Sequence, residues 1–138
     1  MKKLLLVIIL LTAISGAVYA EYPAPERRKI TLTELKASLY DNDGKVVEVI
    51  ANRFSSFKQV AKGEYSVECR YYKFDVSSSG EFDIYFSGED ARDFFQDIIE
   101  DHADVWDGSE EDFYVYVDGK TLTAIGKRYS KSKKEYSW

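Results

Sequence analysis

The sequence predicts a mainly β domain with two helices: a five-stranded Greek-key barrel, a short helix before it, and an amphipathic helix between its third and fourth strands. Three observations lead there. Apolar and polar residues alternate in separate short runs, the period of half-buried strands. Two other stretches repeat at helical spacing instead. The order helix, three strands, helix, two strands, with a long middle strand, is that of a small closed barrel.

The elements follow in order. Residues 21–30 hold both prolines (Pro23 and Pro25) and a run of charges, and read as an extended leader. Leu32, Leu35, Leu39 and Tyr40 have helical spacing, Thr31 with Glu34 makes a capping box, and Asn42-Asp43-Gly44 stops the helix. Lys45 to Phe54 is rich in β-branched residues and reads as the first strand. Residues 55–62 read as a polar loop. From Glu64 to Val76, Tyr65, Val67, Cys69 and Tyr71 share one face, and Glu64, Ser66, Glu68 and Arg70 the other. The parity slips after Tyr71-Tyr72, which predicts a β-bulge. Ser77 to Gly80 is a turn, and Phe82, Ile84 and Phe86 make the third strand.

Ser87 with Asp90 opens the amphipathic helix, whose stripe is Ala91, Phe94, Phe95, Ile98 and Ile99. Phe113, Val115 and Val117 alternate with Tyr114 and Tyr116 in a fourth strand. Asp118-Gly119 signals a tight hairpin, and Lys120 to Tyr129 is the fifth strand. The domain is expected over 31–129, followed by a frayed basic tail, 130–138.

The N-terminus predicts export. Lys2 and Lys3 precede an apolar run from Leu4 to Leu11, and Val18-Tyr19-Ala20 offers small residues before a cleavage point. Removal of residues 1–20 leaves 118 of the 138 residues, with no stable membrane anchor, in the periplasm or outside the cell. Both signal lysines leave too, so 17 basic residues face 24 acidic ones, a balance of −7. The basic residues concentrate at the end, in Lys127, Arg128, Lys131, Lys133 and Lys134, whereas 89–118 is acidic. Cys69 is the single cysteine, so no intrachain disulfide forms. It reads as a small buried hydrophobe, with a disulfide-linked dimer as the alternative.

Along Gly44 to Val49, Tyr65 to Cys69 and Gly119 to Gly126 the chain resembles the OB-fold superfamily, in particular small exported bacterial (tRNA-anti-like) members with a leading helix. The resemblance covers most of 31–129 and implies ligand binding through strands two and three. Here the outward residues of those strands are Glu64, Ser66, Glu68, Arg70, Glu81, Asp83 and Tyr85, an acidic set that argues against a phosphate backbone. The expected function is a non-enzymatic module binding a protein or small cationic ligand through Arg70, Tyr85 and Tyr116. The alternative is single-stranded nucleic acid or oligosaccharide, held by Arg53, Lys58 and Lys62 of the first hairpin loop together with the basic tail.

Catalysis has little to build on. His102 is the single histidine and Cys69 the single thiol, so triads and soft-metal sites lack ligands. Asp101, Asp104, Asp107, Glu110, Glu111 and Asp112 form an acidic run, but glycine as the sixth residue of a calcium loop would put Ala103 first. No glycine-rich phosphate loop is present. No catalytic residue, metal or cofactor is assigned. Gln59-Val60-Ala61-Lys62-Gly63 is similar to the wedge of cystatin-type inhibitors but has alanine where that motif has its central valine.

Overall fold

A computed structural model describes residues 22–72, 81–102 and 110–138. Among these residues nine strands and two α-helices run in the order β1 (Pro25–Thr31), α1 (Leu32–Ala37), β2 (Val46–Ala51), β3 (Arg53–Ala61), β4 (Glu64–Arg70), β5 (Glu81–Ser87), α2 (Glu89–His102), β6 (Glu111–Asp118), β7 (Thr121–Gly126), β8 (Arg128–Ser130) and β9 (Glu135–Ser137). The first seven strands make one mixed sheet in the order β1-β2-β6-β7-β5-β4-β3, with β1–β2 and β5–β7 parallel. The last two pair with each other.

This corrects the expected five-stranded closed barrel: the sheet has seven strands and does not close. Two segments read as irregular account for the difference. The leader pairs in parallel with β2 and becomes an edge strand, where proline and charged residues are tolerated because one side of the backbone needs no partner. The expected loop at 55–62 falls mostly within β3, the opposite edge, paired with β4 through two register shifts. Ser56 takes a positive φ of 53° at the first of these shifts.

The expected first strand therefore divides at Asn52. Before it, the chain pairs with β1 and β6; after it, with β4. The Asn52 side chain donates to the Tyr72 carbonyl and accepts from the Tyr72 amide, both at 2.8 Å, and its own amide donates to the Arg70 carbonyl. β2 and β3, joined by Asn52 alone, thus take the second and the last places in the sheet order, which requires the sheet to curl. The bulge expected near Tyr71-Tyr72 falls partly on residues 73–80, outside the described residues. So do the signal residues, the Ser77–Gly80 turn, and Asp104 and Asp107 of the acidic run.

The concave side holds the core. Val47, Val49, Val67, Cys69, Ile84, Phe113, Val115, Val117 and Leu122 are buried by strand alternation. The capping box forms as expected, Thr31 Oγ1 accepting from the Glu34 amide while Glu34 accepts from the Thr31 amide, and it seats Leu32 and Leu35. A cap of this kind contributes about 1 kcal/mol. From α2, Phe95 enters a ring cluster with centroids 4.5 Å from Phe86, 5.1 Å from Phe94 and 5.2 Å from Phe113.

The tail is not frayed. Trp138 packs on Phe94 and Phe95 at 4.9 and 5.6 Å, and Tyr136 stacks near Tyr129 and Tyr114 and donates to the Pro23 carbonyl. Gly126 permits this closeness: a Cβ there would meet the Ser137 nitrogen and Tyr136 Cβ at 2.9 Å.

Candidate functional site

Outward residues of β4 and β5 come from the same alternation that buries the core. Glu81, Asp83, Tyr85 and Ser87 point out from β5, and Glu64, Ser66, Glu68 and Arg70 from β4. Register aligns Arg70 with Glu81, Glu68 with Asp83, and Ser66 with Tyr85. Four carboxylates thus share this face with one guanidinium, which two of them, Glu68 and Glu81, contact. Arg70 bonds Glu81 at 2.8 Å and lies 3.6 Å from Glu68. A hydrogen bond donated to Glu81 and partial burial push the Glu68 carboxyl up, while accepting that bond and facing Arg70 hold Glu81 down. Ser55 also donates to Glu68 at 3.2 Å.

Ser66 stands apart. It is 2% exposed, and its hydroxyl has no hydrogen-bond partner among the described residues. Glu64 and Glu68 flank it along the strand, Lys58 and Tyr85 across it. A buried hydroxyl without a partner costs about 1–3 kcal/mol, so this position carries an unmet demand for a polar group. Tyr85, its cross-strand neighbour on β5, is 41% exposed.

The expected site residues scatter into three groups. Tyr85 and Tyr116 share one register row, on either side of Thr123, which puts them about two strand spacings, or ~10 Å, apart. Tyr116 is not an open platform, however, because the Tyr22 ring lies 5.1 Å from it. Arg70 lies four residues from Tyr85's level, bound to its acids. Arg53, Lys58 and Lys62 lie on or beside the β3 edge, exposed, with Arg53 over the Tyr72 ring at 5.1 Å. Cys69 is fully buried and burial pushes its thiol well up, so it faces no partner thiol. His102 ends α2.

A second cluster was missed from sequence. On the outward side of β1, β2 and β6, Lys29 bonds Asp112 at 2.9 Å and approaches Glu48 at 3.7 Å. Lys127 Nζ donates to both the carboxylate and, at 2.7 Å, the carbonyl of Asp112. Burial first, and a hydrogen bond with Asp112 second, push Glu48 up to about 7; that bond and the two lysines hold Asp112 well below the usual carboxylate range. Only alternation hinted at it, since Glu48 and Asp112 are acids at outward positions of otherwise apolar strands.

No grouping of three or more metal-ligating side chains occurs among the described residues. No helix among the described residues is long and apolar enough to cross a membrane. No protein-family model, curated protein or solved structure matches the chain.

Proposed function

We propose that this chain is an exported, non-enzymatic binding module that takes a cationic group, from a protein or a small ligand, on the outward face of β4 and β5. The observation that carries the reading is the Ser66 hydroxyl, buried and without a partner between Glu64 and Glu68. An ammonium group has three donors and no acceptor. It supplies what this place lacks, a donor for the serine oxygen and charge for the Glu68–Glu81 pair. Tyr85 or Lys58 would swing aside to admit it, and both are exposed.

Spermidine is a suitable probe, followed by amide chemical shifts. Shifts should concentrate in 64–70 and 81–87, vanish at high salt, and weaken about tenfold in a Glu68→Gln/Glu81→Gln variant. Equal shifts along the acidic side of α2 would reduce the effect to unspecific charge screening and overturn the reading. A short oligothymidylate at low salt gives the contrast. Saturable shifts at Arg53, Lys58 and Lys62 would favour a polynucleotide instead.

A further inference from the structure

The molecule carries its own candidate for the cationic group. Between β8 and β9 the chain turns through Lys131, Ser132, Lys133 and Lys134, all exposed. None of the three lysines has an ion pair among the described residues; Lys58, Lys62 and Lys120 share that state, but the turn gathers three such lysines within four positions. The turn is built rather than loose. The Lys134 amide donates to the Ser130 carbonyl at 2.7 Å, and the Lys133 amide to Ser130 Oγ at 3.2 Å. Lys134 sits at a φ of 56°, where glycine or asparagine is cheaper, yet a lysine occupies the position. Tyr136 and Trp138 anchor the hairpin base to the body.

From this we infer that the lysine turn of one copy docks on the β4–β5 face of a second copy, joining chains head to tail. The inference rests on the cation-binding reading of that face and names its partner. Three unpaired ammonium groups meet four outward carboxylates and the unpartnered Ser66 hydroxyl. Within one copy the three lysines make no ion pair with this face among the described residues, and its acids Glu68 and Glu81 have only Arg70, so the match is available between copies. A polynucleotide fits the turn less well, because the hairpin's aromatic rings are spent on packing rather than left open for stacking. The two surfaces differ, so the contact is heterologous and propagates into chains or rings rather than stopping at a symmetric dimer.

Sedimentation velocity on the chain lacking residues 1–20 tests this. At low salt and about 0.1–1 mM protein, mass should exceed that of a monomer, and association should weaken at least tenfold as salt rises toward ~0.2 M. A tip variant (Lys131→Glu, Lys133→Glu, Lys134→Glu) and a face variant (Glu68→Gln, Glu81→Gln, Asp83→Asn) should each be monomeric alone. Mixed, they should form a one-to-one dimer, since one intact tip meets one intact face. A monomeric wild type, a tip variant that still associates, or a mixture that stays monomeric each overturns the inference. Spermidine binding separates the two failures. If it persists at the face while the wild type stays monomeric, self-association alone is wrong; if it is absent too, the binding reading falls with it.

Discussion

Glu48–Asp112 and Glu68–Glu81 are both hydrogen-bonded carboxyl pairs on the outward face of one curled sheet, and each includes one member pushed up and one held down. They differ in surroundings. The first is half-buried and bound by lysines from β1 and from the β7–β8 junction, so it ties the leader strand and the C-terminal hairpin to β2 and β6. The second has a single arginine, and its Glu81 is the more exposed at 44%, although Glu68 at 27% is as enclosed as Asp112. For Glu48 the leading cause of its shift is burial; for Glu68 it is the neighbouring acid. The first pair is therefore held between strands by its lysines, whereas the second, with one arginine, is the one the proposed binding reading draws on.

The sharpest way to break this comparison is to remove an acid from each pair. Asp112→Asn leaves Lys29 and Lys127 converging without their shared counter-charge, and should cost about 2 kcal/mol, less than for a fully buried pair because both lysines are partly exposed. Glu81→Gln should leave stability close to that of wild type. Urea unfolding of both variants measures the contrast. Equal losses would mean that burial does not separate the two clusters.

A smaller effect follows from pH. The folded protein holds the Glu48 proton up to about pH 7, whereas the unfolded chain releases it near 4.5. Between those values the folded state binds more protons, so stability falls as pH rises through that window and levels off above it. Asp112 acts oppositely, its contribution being lost only in strong acid. After allowance for solvent screening, the decline should be about 1 kcal/mol and should flatten in Glu48→Gln. Thermal midpoints at pH 5, 6, 7 and 8 follow it, as estimates of a shift read on either side of Glu48's titration. An unchanged slope in the variant would assign the decline to other groups.

What the sequence revealed tracks how local the deciding physics is. The alternation in Glu64 to Arg70 and Glu81 to Ser87, and the Thr31–Glu34 capping box, are set by neighbours a few residues away, and each appears in the structure. The edge strands were misread because an edge is defined by what does not pair with it. Glu26-Arg27-Arg28-Lys29 are charged throughout, and Ser55 to Ala61 break the alternation, with Phe57 alone among polar neighbours packing on the core. The tail was misread because its anchors are remote: Tyr136 bonds Pro23 across 113 positions, and Trp138 rests on α2. With both edges mistaken for loops, an open seven-stranded sheet reads as a closed barrel of five. In the site, the acidic character of β4 and β5 was legible. The Glu48 cluster was not, because it needs the parallel pairing of β1 with β2.

Ser66 gives the smallest effect and the finest probe of the difference between the two regions. Removing a polar group normally destabilises when it leaves a partner stranded, as at Asp112. At Ser66 no partner among the described residues is lost, so Ser66→Ala removes only the cost of burying an unbonded hydroxyl. The variant should be as stable as wild type or more stable by about 0.5 kcal/mol. At the same time it should bind spermidine a few-fold more weakly, because an acceptor for the ammonium has gone. Gain in stability with loss of binding is the signature of a group kept for a ligand rather than for the fold. A stability loss of ~1 kcal/mol or more would instead show that the hydroxyl is already bonded in the free protein, and would transfer Ser66 to the structural side of the comparison.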